Sequence, residues 1–324
     1  MRTSIAYNDN EVKQSGTKED INKGYKLWLD VVDPTSSEIQ DIQQMYGLDK
    51  NALEIFMNKS KKPQIRMSDA QIFTLILDIK YKDLRTLATE ALYIFKGKDW
   101  LITIHSSKVD LIPNVNALFE QKNVRIMEAT IDALYYSIMT EVIGKYEQLL
   151  TSIEMTVTNF EQKSLYKPSR KMLDYLDTLS RQRIILRRHF WHTRDIINYL
   201  KHMEKDTEEI MYIEIAYDNI TQLIELVESY RDTLNSTRDL YIANVSLQMN
   251  DTMRLLTLFS AILLPLSFIV GLFGMNGIDL NDLSHISVSV ITVTIVMGAI
   301  VLVMFLYFKK KEWILHKEQN IDQS

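Results

Sequence analysis

Residues 255–273 read Leu-Leu-Thr-Leu-Phe-Ser-Ala-Ile-Leu-Leu-Pro-Leu-Ser-Phe-Ile-Val-Gly-Leu-Phe, 19 positions without Asp, Glu, Lys, Arg or His. Residues 286–308 repeat that texture over another 23 positions. A bilayer core takes about 20 apolar residues per helical span, so each run suffices to cross one. The competing reading, a pair of core helices in a soluble protein, fits badly: such helices are rarely apolar all round over 23 residues. The 12 residues Gly274–His285 join the runs into a hairpin whose ends lie on one side of the membrane. Arg254 precedes the first run and Lys309, Lys310 and Lys311 follow the second, whereas the loop carries Asp279 and Asp282 but neither Lys nor Arg. Positive charge marks the cytoplasmic side. The expected protein is a multi-pass protein of the cell membrane with both termini cytoplasmic and the three lysines forming a basic cytoplasmic ring. Met1–Asn22 is polar and reads as no signal peptide.

The rest of the 324 residues looks soluble. A mean hydropathy of −0.10 averages over the two textures and conceals the hairpin. Nine glycines and five prolines favour long helices. No cysteine is present, which removes disulfides, thiolate zinc sites and cysteine nucleophiles. A net charge of −5 speaks against a nucleic-acid partner. No Gly-rich phosphate loop, metal-ligand spacing or Ser–His–Asp signature occurs, so an enzyme is not expected and no catalytic cofactor is implied.

Residues 25–112 mix strand-like and helical patterns. Leu27–Val32, Ile72–Ile79, Ala91–Phe95 and Leu101–His105 are strand candidates, rich in β-branched and aromatic residues. Ser36–Tyr46 reads as a helix, with Ile39, Ile42 and Met45 on one face. His105 stands alone at a strand end and reads as a structural or surface histidine. This is an α/β domain.

Beyond Pro113 the pattern turns to long helix. Between Pro168 and Pro265 lie 96 residues without Gly or Pro, roughly 140 Å if unbroken. The polar stretch Lys201–Glu209 is the expected reversal. Helices are predicted over about 116–162, 169–200 and 205–273, the last entering the bilayer. Its apolar residues Ile220, Leu223, Leu226, Val227, Leu234, Leu240, Tyr241 and Val245 have helical spacing and read as a stalk that packs against other copies. The expected organisation is an N-terminal segment (1–24), an α/β domain (25–112), a long-helix and stalk region (113–254), a first span (255–273), an outer loop (274–285), a second span (286–308) and a basic tail (309–324).

Asn250, Met253, Leu256, Ser260, Leu264, Ser267, Gly271 and Gly274 recur at intervals of three and four and share one side of the first span. Composition serves two readings of that stripe equally: small-residue helix packing, or a pore wall alternating polar groups with apolar constrictions. A pore needs several copies, since two spans enclose nothing.

The first span ends in Gly274-Met275-Asn276, directly after Leu264-Pro265-Leu266-Ser267-Phe268-Ile269-Val270-Gly271-Leu272-Phe273, and Lys-Lys-Lys-Glu-Trp follows the second. This arrangement resembles the CorA family of divalent-metal transporters, whose hallmark is Gly-Met-Asn at that place. Trp28-Leu29-Asp30-Val31-Val32-Asp33-Pro34-Thr35 looks like the family's first strand. Leu186-Arg187-Arg188, Arg194-Asp195, Tyr230-Arg231-Asp232 and Met249-Asn250-Asp251-Thr252-Met253 resemble its long helices.

The resemblance implies a funnel-shaped homopentamer in the lipid bilayer, with Mg²⁺ as substrate and regulator and Co²⁺ or Ni²⁺ as further substrates. It implies a selectivity filter of Gly274, Met275 and Asn276, with Asn250, Met253, Leu256, Ser260, Leu264, Ser267 and Gly271 lining the pore. The family closes when Mg²⁺ bridges acids of neighbouring subunits. Here Asp78 and Asp83 of the α/β domain and Glu214 and Asp218 of the stalk are the candidates, while the position aligned with one sensor acid is Ile215. Phe273 replaces the usual Tyr before the motif, and the usual acidic sequence after it is replaced by Gly277-Ile278-Asp279-Leu280-Asn281-Asp282. Asp279 and Asp282 either concentrate cations at the mouth or are solvated loop acids. The changed loop leaves two further readings: a Zn²⁺ transporter of the same superfamily, which also carries Gly-Met-Asn, and a non-conducting membrane receptor or scaffold.

Overall fold

The structure is a computed structural model that describes residues 1–68, 71–83, 86–109, 130–166, 170–204, 207–275 and 283–311. Two compact units divide at Leu240/Tyr241.

The first unit contains one seven-stranded sheet. Its strands are β1 (Arg2–Tyr7), β2 (Val12–Gln14), β3 (Lys26–Val32), β4 (Gln64–Ser68), β5 (Gln71–Asp83), β6 (Thr86–Lys96) and β7 (Trp100–His105), in the order β2-β1-β3-β7-β6-β5-β4. The four expected strands are present. The sheet begins at Arg2 rather than at residue 25: β1 lies antiparallel on β3 with Ile5 opposite Trp28. The Met1 ammonium donates to the Val32 carbonyl at 2.7 Å. The pattern Arg-Thr-Ser-Ile-Ala-Tyr has too short an apolar run to announce a strand, and its pairing with β3 defines it.

Among the described strands only β3 and β7 pair in parallel, with Leu29 opposite Ile102. A parallel pair needs a long crossover, which here passes through α2 (Ser36–Tyr46), α3 (Lys50–Met57) and the β4–β6 meander. The short α1 (Lys18–Ile21) precedes β3. Thr35 caps α2 reciprocally with Glu38, and Gly47 ends it at φ 67°, a conformation that only glycine adopts freely. Phe56 of α3 meets Tyr93 of β6 edge-on at 5.0 Å.

Helices α4 (Ile131–Tyr166) and α5 (Arg170–Met203) follow, then α6 (Thr207–Met275). Helix α4 packs on the sheet through a buried hydroxyl pair, Thr74 with Tyr135 at 2.6 Å, and through the Tyr146 hydroxyl donating to the Leu77 carbonyl at 2.6 Å. The expected first part of this helix, residues 116–129, lies outside the described residues. The reversal falls within Lys201–Glu209 as expected, between Met203 and Thr207.

The stalk reading requires correction. Ile220, Leu223, Val227 and Leu234 are buried in the same core as Leu150, Ile153, Leu179 and Leu186 of α4 and α5. Arg183 on α5 binds Glu228 at 3.3 Å, and the Tyr230 hydroxyl donates to the Leu150 carbonyl at 3.3 Å. The partners of this part of α6 are the chain's own helices. Helical spacing reports that a face is covered but not by which molecule. Tyr241 is buried as well, whereas Leu226, Leu240 and Val245 are exposed.

His105 is neither lone nor on the surface. Its Nε2 lies 3.1 Å from the Asp30 carboxylate and its Nδ1 2.8 Å from the Ser106 carbonyl. Thr103 also donates to Asp30, at 2.6 Å, and accepts from the Trp28 indole at 3.1 Å.

Candidate ion-conduction site

Helix α6 continues through Pro265 to Met275, and α7 (Leu283–Lys310) begins a few residues before the expected second span. Both are long and apolar enough to cross a membrane. Pro265 has no N–H, so the Ala261 carbonyl lacks its usual helical donor. Leu258 is buried, and Ile262, Pro265, Leu266 and Ile269 on the same side are half-buried.

The seven predicted pore-lining residues, Asn250, Met253, Leu256, Ser260, Leu264, Ser267 and Gly271, are all exposed and lie on the one continuous helix. Phe259, Leu263 and Phe268 are exposed too. Exposure therefore does not set the stripe apart from the remaining apolar surface; its hydroxyls, amide and glycine do. Thr252 and Thr257 turn their hydroxyls back onto the carbonyls of Gln248 and Met253, at 2.9 and 2.8 Å. A Cβ added to Gly271 would meet open space, so nothing described in this chain requires a glycine there. Gly274 and Met275 end α6. Asn276, Asp279 and Asp282 lie outside the described residues.

The chain matches the family model described as CorA-like Mg²⁺ transporter protein over residues 24–310. The chain belongs to that CorA-like family. As a family member it is a divalent-cation transporter. It is 26% identical over 294 residues to the cobalt/magnesium transport protein CorA of Thermotoga maritima, covering 89% of this chain and 83% of that one. To the putative metal ion transporter YfjQ of Bacillus subtilis it is 28% identical, covering 88% and 89%. The complete structure of the CorA magnesium transporter from Methanocaldococcus jannaschii superposes with a TM-score of 0.80 at 22% identity, covering 97% and 99%. The cytoplasmic domain of ZntB from Vibrio parahaemolyticus reaches 0.58 at 13% identity over 75% and 98%, a likeness of fold alone.

The predicted regulatory acids of this CorA-family chain fall into different surroundings. Asp78, on β5, is 2% exposed and pairs with Lys80 at 3.4 Å. Lys80, two residues on and on the same strand face, was the sequence signal for that pairing. Asp83 ends β5 opposite Thr86. Glu214 and Asp218 are exposed one turn apart on α6, and Glu214 is bound by Lys201 at 3.0 Å. Lys201 was absent from the predicted site, although it and Glu214 flank the predicted reversal. Ile215 is exposed between the two acids, where an acidic side chain would also have reached solvent. No group of three or more His, Asp or Glu suited to a metal occurs among the described residues. Lys309, Lys310 and Lys311 are exposed at the end of α7, and the Lys311 ammonium sits 5.8 Å from the centroid of the Tyr307 ring.

Proposed function

We propose that this chain is a channel-like Mg²⁺ transporter, also passing Co²⁺ or Ni²⁺, that conducts along the α6 stripe as a homopentamer with both termini cytoplasmic. The observation that carries the reading is the family match over residues 24–310 to a chain whose first span ends the polar stripe in Gly274-Met275-Asn276. Relatives bearing cobalt/magnesium transport names support the choice of ions.

Mg²⁺ holds its waters octahedrally at ~2.1 Å and releases them reluctantly. A ring of Asn276 amides, with Gly274 carbonyls beside it, offers neutral oxygens to those waters and leaves the ion hydrated. A carboxylate ring would bind the bare ion too tightly for onward passage. Inward of the filter, Ser267 and Ser260 supply hydroxyls, while Leu264, Leu256 and Met253 form apolar rings able to close by dewetting. Asn250 provides the last polar ring. With Asp78 buried, closure by intracellular Mg²⁺ rests on Glu214 and Asp218, with Asp83 as a candidate across the interface. At Glu214 the ion must displace the Lys201 ammonium. That competition, together with Ile215 in place of an acid, predicts weaker closure than in relatives with a full acidic set.

Uptake into proteoliposomes, with Mg²⁺, Co²⁺, Ni²⁺ and Zn²⁺ compared at fixed pH and membrane potential, tests the ion assignment. Saturable Mg²⁺ uptake that Co²⁺ and Ni²⁺ compete away is expected. Zn²⁺ uptake without Mg²⁺ uptake would overturn it.

A further inference from the structure

A cleft of about 460 Å³ opens in the α/β domain, lined by residues between Asp33 and Ser106. Strand pairing explains it. Strands β3 and β7 stop at Val32 and His105, and Leu92 of β6 is opposite His105, so β6 residues 86–91 run on without a β7 partner. The resulting notch sits outside the carboxyl ends of the parallel pair, the usual place for a ligand in an open α/β sheet. Ile39 of α2, Phe56 of α3, and Ala91 and Tyr93 of β6 give it apolar and aromatic walls. Its size falls in the ~300–1,000 Å³ range of small-molecule sites.

The charges around the cleft are unevenly satisfied. Glu90 accepts from the Ser106 hydroxyl at 3.3 Å and faces the Lys108 ammonium at 3.8 Å. His105 is held by Asp30, and Asp33 accepts from the Ser107 N–H at 3.1 Å. The Lys61 ammonium donates to the Thr89 carbonyl on the unpaired edge of β6. The Lys59 ammonium has no partner among the described residues. With Glu90 facing Lys108 and Asp30 hydrogen-bonded by Thr103 and His105, Lys59 and Lys61 outweigh Asp33.

Backbone conformation singles out the same place. Among the described residues three non-glycines have positive φ, and two of them, Asp33 at 46° and Lys59 at 50°, line this cleft. At Lys59 that conformation closes α3, with the Lys59 N–H donating to the Phe56 carbonyl at 2.8 Å and the Ser60 N–H to the Ile55 carbonyl at 3.1 Å, which fixes the backbone at this edge of the cleft.

We propose that this cleft binds a small organic anion with a flat ring, the ring against Phe56 and Tyr93 and the anionic group on Lys59. The site is independent of the conduction reading. Isothermal titration of the full chain in detergent, with EDTA present, tests it. AMP, phenyl phosphate and benzoate are compared with adenosine, which lacks the anion, and inorganic phosphate, which lacks the ring. Saturable binding of at least one ring-bearing anion, tenfold or more tighter than adenosine and phosphate, is expected. Preference among the three distinguishes a phosphate from a carboxylate head group. Lys59→Gln is expected to weaken that binding about tenfold, with Lys59→Arg retaining most of it and Lys23→Gln, outside the cleft, leaving it unchanged. Saturation by none of the three anions, or equal weakening by Lys59→Gln and Lys23→Gln, would overturn the proposal.

Discussion

Met253 and Leu256 stand on the exposed side of α6, one turn apart, with Asn250 a turn before them. If their apolar surfaces close the conduction path by excluding water, an ionised side chain at either position holds water in place. Met253→Asp and Leu256→Asp should therefore raise leak at high internal Mg²⁺ several-fold in a liposome flux assay. Unchanged leak in both would shift the gate to Leu264, which is 70% exposed. In the soluble part, His105 presents both ring nitrogens to acceptors, which suits the doubly protonated ring. Burial pushes its pKa down, but the Asp30 hydrogen bond and charge outweigh it and the net shift is upward. A raised folded-state pKa gives stability that is complete below the unfolded value of ~6.5 and is lost as pH climbs through the folded value. Melting temperature across pH 5–9 should show this loss in the wild type and a flatter profile in His105→Gln. Parallel profiles would remove the histidine from the pH dependence.

At the scale of elements, the two C-terminal helices were legible because apolar runs of 19 and 23 residues suit a bilayer and rarely a soluble core. Strands β5, β6 and β7 were legible from β-branched and aromatic runs. Strand β1 was not, because half of Arg2–Tyr7 is polar and its partner β3 is distant in sequence. Helix α3 escaped notice too, at only eight residues. The apolar face of α6 from Ile220 to Leu234 is visible in the spacing, but its cover is α4 and α5 rather than other copies, since spacing alone names no partner. Gly274 and Met275 of the motif end α6, whereas Asn276 lies outside the described residues, so the filter rests on the motif and its position and is part of the proposed function. Of the acids, Asp78 lies buried on β5, a depth that an isolated Asp in a strand pattern does not announce. The same contacts yield two predictions. Removing residues 1–14 strips β1 from β3 and uncovers Trp28 and Leu29, so the truncated chain should lose cooperative unfolding or aggregate; an unchanged melting curve would show β1 to be dispensable. Ile220→Ala, at a fully buried position of the α4–α5–α6 core, should cost about 2–5 kcal/mol in denaturant unfolding.

At the scale of the molecule, the exposed apolar side chains of α6 and α7, among them Phe259, Leu263, Phe268, Ile295 and Val303, form far more uncovered surface than a water-soluble monomer carries. Lipid and further copies of the chain are the covers that the proposed function supplies. In the proposed pentamer, subunits with Glu214 and Asp218 at their interfaces would repel one another until a divalent cation bridged them. An ion shifts that balance only by its differential affinity for the closed and splayed arrangements. Limited proteolysis should therefore slow with millimolar Mg²⁺, and Asp218→Asn should reduce the protection. Identical cleavage with and without Mg²⁺ would remove the sensing role and leave transport in place. The central claim is that a ring of Asn276 recognises the hydrated ion. Its most direct test is Mg²⁺ uptake into proteoliposomes by the wild type and by Asn276→Ala, both shown by native mass spectrometry to be assembled. Saturable uptake by the wild type that disappears in the assembled variant is predicted, and equal uptake by the two would contradict the account.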